Sequence, residues 1–370
     1  MVTADSVTKV HRYLCPGCSS DLLFDPKDGC LACPSCGRTE QIPATAEEVK
    51  ERSYEDYLNM KPEQANTAPA DAGLEVQCTG CGAAVSFAPP DIAGECPFCT
   101  AKLVTEPQAA GPALRPESVL PPAIRRDQAV AAIKSWLASR WFAPGNLMRL
   151  ARQETIQGVY LPFWTYDAFT TTHYKGERGD YHWETESYTD QDERGRSVQR
   201  TRQVRRIAWS SVAGSTSRWF DDLLVPGSRS LASSHLAALE PWNLPGLKPY
   251  QPSYLAGFKA QRFQVNLREG FEVAKSLMSP LIEQDVRQSI GGDEQRIRQS
   301  LTAYSGITFK HLLLPVWMSA YRFQNQVYQV LVNACTGEVQ GDRPYSGWKI
   351  TALVLLIAAI VLLLIYLNSH

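Results

Sequence analysis

The strongest apolar signal lies at the end of the chain, where Ile350 to Leu367, ITALVLLIAAIVLLLIYL, runs 18 residues without a charge. At about 1.5 Å of rise per residue, a helix of this length matches a bilayer core of about 30 Å. It has none of the polar stripe that a helix on the surface of a soluble domain carries. Upstream, two apolar periods alternate. Val130, Ile133, Trp136, Leu137 and Trp141 recur at helical spacing behind Asp127, a candidate N-cap, and Pro144-Gly145 supplies a stop. GVYLPFWTYD at 158–167, His182 to Tyr188 and Val198 to Trp209 are instead dense in β-branched and aromatic residues and read as strands. DERGR at 192–196 reads as a charged hairpin tip between them. The pattern then returns. A helical stretch from Glu269 to Gln299, interrupted by Pro280 and Gly291-Gly292, leads into HLLLPVWMSAYRF at 311–323. Gln326 to Asn333 and Glu338 to Gln340 flank a Thr336-Gly337 turn. LPVW at 314–317 matches LPFW at 161–164, pairing Pro315 with Pro162 and Trp317 with Trp164. A helix followed by antiparallel strands, twice, predicts a duplicated α+β domain in which each sheet packs on a helix. The tryptophans and tyrosines of these strands read as core and edge packing rather than a ligand cage.

The first hundred residues follow a different logic, set by cysteine. Cys15-x2-Cys18 and Cys33-x2-Cys36 are separated by 14 residues, and so are Cys78-x2-Cys81 and Cys96-x2-Cys99. Alignment of the two units superposes Phe24 on Phe87 and Pro34 on Pro97. Zinc takes four tetrahedral ligands, and two tight turns joined by a hairpin deliver four thiolates to one point. The spacing therefore predicts two β zinc ribbons, each holding one structural Zn2+ with its coordination shell filled by protein. Such small units cannot bury enough apolar surface alone, so the metal would supply their folding energy. Gly17, Gly37, Gly80 and Gly82 stand where a knuckle turn needs positive φ or close backbone approach. Cys30 aligns with Ala93 and stays outside the ligand set, and Cys335 is far from the other cysteines in sequence.

Charge alters the functional picture. The whole chain carries a net charge of -1, but residues 1–104 sum to -7 and the remainder to +6. A nucleic-acid-binding module has a basic footprint, which the ribbons lack. Arg200, Arg202 and Arg206 share one face of a strand, beside Arg205, and could meet nucleic acid or anionic lipid. Asp221-Asp222 could bind a cation, a loop or capping role being the plainer reading. The histidines at 11, 173, 182, 235, 311 and 370 fall in no metal-protease, nucleophile-elbow, P-loop or dinucleotide pattern. No catalytic role is expected. The N-terminus MVTADSVTKVHRYLC lacks a signal-peptide core, so the paired cysteines belong in a reducing compartment. Trp348, Lys349 and Tyr366 flank the apolar helix as interfacial anchors. With Arg343 upstream, the positive side places the body in the cytosol and the last three residues across the cytoplasmic (inner) membrane.

The doubled CxxC units occur with VLPPAI, SRWFAP at 139–144, GVYLPFWTYDA at 158–168, GERGDY at 176–181 (read as a hairpin), RWFDDLLVP at 218–226, LLPVW and YQVLVNACTGEVQGDRP. Together these resemble a bacterial family of tail-anchored, TFIIB-type zinc-ribbon membrane proteins, often labelled primosomal protein N-prime-like or replication factor Y-like. The resemblance implies zinc on Cys15, Cys18, Cys33, Cys36, Cys78, Cys81, Cys96 and Cys99. It also implies an SPFH-domain, flotillin-like partner recruited to the membrane in envelope stress. The layout expected is ribbon 1 at 10–40, a short helix and linker at 41–73, ribbon 2 at 74–104 and a linker at 105–122. These are followed by α+β repeats at 123–264, with a hairpin insertion, and 265–345, and by a transmembrane helix at 348–367. The function that follows is a membrane-tethered scaffold for a cytosolic protein. The alternatives are a nucleic-acid-binding ribbon protein at the membrane and a zinc or redox sensor using Cys30.

Overall fold

The computed structural model describes residues 13–368 apart from 46–47, 61–66, 69–73, 79–80, 88–92, 105–107, 110–112, 115, 140–155, 193–194, 324–325 and 343–346. Its centre is one sheet of nine strands: β1 (Arg52–Ser53), β2 (Ser118–Val119), β3 (Ile156–Gln191), β4 (Ser197–Pro226), β5 (Lys248–Pro249), β6 (Lys259–Ala260), β7 (Glu294–Phe323), β8 (Gln326–Asn333) and β9 (Val339–Gly341). Among the described residues five α-helices accompany it, α1 (Tyr54–Asn59), α2 (Arg126–Ala138), α3 (Ser233–Ala238), α4 (Leu267–Ile290) and α5 (Gly347–Asn368).

The two strand-rich stretches do not make two sheets. β3 and β7 pair antiparallel with each other, Leu161 opposite Leu314, Gly158 opposite Trp317 and Trp164 opposite His311. The LPFW and LPVW segments are thus strand neighbours, and the register is symmetric about the Leu161–Leu314 pair. The reason is burial on both faces. Val159, Leu161 and Phe163 with Leu312, Leu314 and Val316 face ribbon 2 and α3. Ile156 and Trp317 lie under α2, and Trp164, Tyr166 and Phe309 under α4. A strand covered on both sides reads as a continuous apolar run, which is what these segments are. Above Ala168 only one face is covered, and the sequence alternates: Thr170, Thr172 and Tyr174 are buried while Phe169, His173 and Lys175 are exposed.

Two tryptophans cross the structure reciprocally. The Trp164 indole donates to the carbonyl of Val265 at 2.9 Å, two residues ahead of α4. The Trp317 indole donates to the carbonyl of Ile124 at 2.7 Å, two residues ahead of α2.

Several local expectations need correction. The strands expected at 158–167 and 182–188 are one strand, β3. GERGDY lies in its interior instead of forming a turn. A Cβ at Gly176 would sit 2.5 Å from the Arg296 carbonyl oxygen, so the glycine there permits the close approach of β7. The helix expected to reach Gln299 stops at Ile290, where Gly291 takes φ +68°, and 294–299 already belongs to β7. Asp127 sits in the first turn of α2, whose N-cap is Arg125. Trp141 and Pro144-Gly145 fall outside the described residues. The segments flanking ribbon 2 contribute β1 and β2 to the sheet. Part of the expected linker is therefore core, with Ser118 and Val119 fully buried. The Asp192 amide bonds the Arg196 carbonyl and the Gly195 amide the Asp192 carbonyl where the hairpin tip is expected, residues 193–194 lying outside the described residues, and the Thr336-Gly337 turn stands where expected.

α4 is fixed by its ends and its face. Asn266 and Glu269 form a reciprocal cap, and Phe271, Ala274, Met278, Ile282, Val286 and Ile290 make a buried stripe at helical spacing. Beyond Gly179 the third strand ends, and β3 and β4 continue alone as a two-stranded arm of about 40 Å.

Candidate metal centres

Each CxxC unit forms the same local turn. The amides of Ser19, Gly37, Gly82 and Thr100 donate to the carbonyls of Cys15, Cys33, Cys78 and Cys96 at 2.8, 3.0, 2.8 and 2.9 Å. These donors are the residues with positive φ, at +57°, +74°, +72° and +60°. Gly37 and Gly82 therefore have the conformational role expected of them, while Ser19 and Thr100 take the equivalent place without a glycine. Gly17 does not have positive φ, and Gly80 lies outside the described residues.

The turns bring the cysteines together in two groups, Cys15, Cys18, Cys33 and Cys36, and Cys78, Cys81, Cys96 and Cys99, with all sulfurs of a group within 4.8 Å of one another. The closest pairs are Cys15–Cys36 at 3.5 Å and Cys18–Cys33 at 3.4 Å, then Cys78–Cys99 at 3.4 Å and Cys81–Cys96 at 3.7 Å. Four thiolates on zinc at about 2.3 Å lie about 3.8 Å apart, so both clusters can hold a zinc ion. Cys30 belongs to neither. It is buried opposite Asp25 in the ribbon hairpin, and burial, then Asp28 and Asp25, push its thiol up. Cys335 is half-buried, its thiol pushed up to about 12 by burial.

The clusters differ in electrostatics. Hydrogen bonds from the Ser20 hydroxyl and amide pull the Cys18 thiol down to about 6. Cys36 moves up to about 12, the backbone hydrogen bond from Arg38 being outweighed by the neighbouring thiols Cys15, Cys33 and Cys18. In ribbon 2, burial is the main cause that raises Cys81 and takes Cys96 to about 11. A cation at the centre would compensate that burial and release the protons.

Ribbon 1 keeps its own small core of Cys15, Leu22, Phe24, Leu31 and Cys33, and touches the body through Tyr254 and Ala256. In ribbon 2, Cys78, Ala83, Cys96 and Phe98 are part of the main core with Leu161, Phe163 and Leu331.

Two other sequence candidates are already neutralised. Arg200 meets Asp190 at 3.4 Å, Arg202 meets Glu186 at 2.9 Å and Arg206 meets Glu184 at 3.5 Å, all across the β3–β4 ladder. Arg205 lies over the Tyr181 ring at 4.2 Å. Asp222 groups with Glu51 and Asp167, but the Lys310 ammonium sits among them, 2.6 Å from Asp222 and 3.0 Å from Glu51. The chain's own cation fills that place. Sequence reading missed Lys310 because its partners Glu51 and Asp222 come from two distant segments.

α5 is long and apolar enough to span a membrane: its Thr351–Asn368 stretch has a mean hydropathy of 2.7 and none of it is buried against the body.

The chain is 28% identical over 354 residues, 93% of either chain, to the uncharacterised protein YdjG of Bacillus subtilis. Over 74 residues, 18% of this chain and 64% of the relative, it is 38% identical to Transcription factor S of Methanocaldococcus jannaschii. No protein-family model and no solved structure matches it.

Proposed function

We propose that the chain is a non-catalytic adaptor, a membrane-tethered zinc-ribbon scaffold that binds a cytosolic protein and holds it at the inner membrane. The observation that carries this reading is the placement of the parts. One cysteine cluster is built into the core of the sheet body, and an apolar helix with no protein cover follows the last strand, β9, after five residues. Four thiolates would leave no open position on either zinc, which makes both ions scaffold. Tethering raises the effective concentration of a partner without requiring a large interface. The basic residues Lys349 and Arg343 before the apolar run support a cytosolic body. The family resemblance makes an SPFH-domain protein the first partner to test.

Crosslinking and capture from membranes tests the reading. The full chain should hold its partner in the membrane fraction, and removal of residues 348–370 should release it. A partner that stays at the membrane with the truncated chain would sink the idea.

The body is also read as a duplicated unit of helix and strand hairpin. Support comes from the register symmetric about the Leu161–Leu314 pair, the first residues of LPFW and LPVW, and from the reciprocal Trp164 and Trp317 bonds, each to the helix entry of the other unit.

The local similarity to Transcription factor S supports a second reading, nucleic-acid binding by the ribbons. The net charge of -7 over residues 1–104 and the internally paired arginines weigh against it. Binding of the full chain to DNA or RNA with a steep salt dependence would favour it.

A further inference from the structure

Between ribbon 1 and the sheet lies a cleft of about 670 Å³, walled by Leu23 and Phe24 on one side and Phe258 and Trp317 on the other. Its size, and apolar walls with a few polar groups, are those of a small-molecule site. Its charged groups are Arg125, Arg126 and Lys259 against Asp25 and Asp127. They are not equivalent. Asp127 is engaged by Arg125 at 3.3 Å, and Asp25 accepts the Lys27 amide at 2.9 Å in the ribbon's own turn. Arg126 has no ion pair among the described residues, and its Nε is buried without a hydrogen-bond acceptor. Gln157, also lining the cleft, has a buried Oε1 without a donor. Arg126 as a whole is only half-buried and lines the cleft, so its guanidinium can take an acidic acceptor from a molecule bound there.

The backbone around the cleft narrows the choice of occupant. The Phe24 amide is bonded to the Ala256 carbonyl at 3.0 Å, and β6 is paired with β3. The strand edges bordering the cleft are thus in use, which disfavours a peptide added as a further strand. At the N-terminus of α2 the Gln128 side chain accepts the Arg125 amide at 2.8 Å, while arginine at the N-cap offers no acceptor to the amides that follow.

We propose that this cleft binds a small amphiphilic anion, its carboxylate or phosphate head on Arg126 and its apolar part against Phe24, Phe258 and Trp317. Cys33 and Pro34 line the same cleft, so its ribbon wall depends on zinc in ribbon 1, a clause that rests on the metal assignment above.

Equilibrium dialysis of the full-length, zinc-loaded chain in lipid nanodiscs tests this with decanoate, decyl phosphate, decanol and inorganic phosphate, empty nanodiscs being subtracted. One of the two amphiphilic anions should bind saturably at one per chain, which also assigns the head group. Decanol and inorganic phosphate should bind at least 10-fold more weakly. Arg126→Gln should weaken the anion at least 10-fold while both zinc ions stay bound, and Gln157→Glu, which adds a negative charge to the cleft, should do the same. The Cys15→Ser/Cys33→Ser double variant should lose binding together with one zinc. Absence of saturable binding, equal binding of decanol, or undiminished binding in either folded cleft variant would overturn the proposal. Partner capture measured on Arg126→Gln separates the two readings, because the adaptor role does not require the cleft.

Discussion

The two ribbons share cysteine spacing, turn geometry and sulfur clustering, yet they stand in different relations to the body. Ribbon 1 is a satellite with its own core, and Cys18 and Cys36 are exposed. Ribbon 2 supplies Cys78, Cys96 and Phe98 to the main core, where Phe98 is fully buried and its carbonyl accepts from the Gln329 side chain at 2.5 Å. The same cysteine spacing and turn geometry therefore carry different structural weight in the two places. A metal in ribbon 1 holds a lobe together, whereas one in ribbon 2 supports the packing of β3, β7 and β8.

The sharpest test of that difference is to remove each cluster in turn. Cys78→Ser/Cys96→Ser should lose one zinc and destabilise the whole body by on the order of 5 kcal/mol, or prevent folding, because thiolate ligands and core volume go together. Cys15→Ser/Cys33→Ser should also lose one zinc but leave the main thermal transition within a few degrees. Zinc counting with circular dichroism melts checks both. Equal effects would erase the distinction.

The next effect concerns how the two ribbons' flanking segments are tied together. Arg52 in β1, after ribbon 1, meets Glu117 beside β2, after ribbon 2, at 2.8 Å. Burial, partly offset by Arg52, raises the Glu117 carboxyl to about 7, and its other oxygen accepts the His311 amide at 2.6 Å. A carboxyl whose folded pKa exceeds its unfolded value binds its proton more tightly in the native state. Stability then falls as pH rises from about 4.5 to about 7 and stays lower above, by on the order of 3 kcal/mol. Glu117→Gln should flatten that slope and raise stability at pH 8, measured by urea denaturation across pH.

A smaller change is expected at the helix tie beside ribbon 1. Trp317→Phe leaves the Ile124 carbonyl without its donor and removes part of the cleft wall, at a cost of about 1–3 kcal/mol in the same denaturation assay. The smallest is expected on the arm. Arg202→Ala removes one exposed pair with Glu186 and should change stability by less than about 0.5 kcal/mol.

Legibility followed the range of the forces involved. The cysteine clusters were readable because a CxxC turn is closed by residues within six positions, and the DERGR tip was readable for the same reason. The joining of 158–167 and 182–188 into one strand was not, since the residues between them owe their extended state to α4 and β7. The Trp164 and Trp317 match could be seen in the sequence, but not that the two indoles bond the backbone just ahead of α4 and α2. The arginine row looked basic because its carboxylates stand on the opposite strand. GERGDY looked like a turn because glycine marks both turns and close packing.

The sequence by itself determined two four-cysteine clusters, a C-terminal helix with an uncharged run at 350–367 and the alternation of helical and strand segments, because short-range spacing and side-chain polarity suffice for these. Only the tertiary structure decided that the strands form one sheet, that ribbon 2 is core while ribbon 1 is a lobe, and that Lys310 fills the acidic cluster. It also placed Arg126, without an ion pair among the described residues, beside a cleft. Those outcomes depend on which distant surfaces exclude water together, and no local pattern encodes that choice.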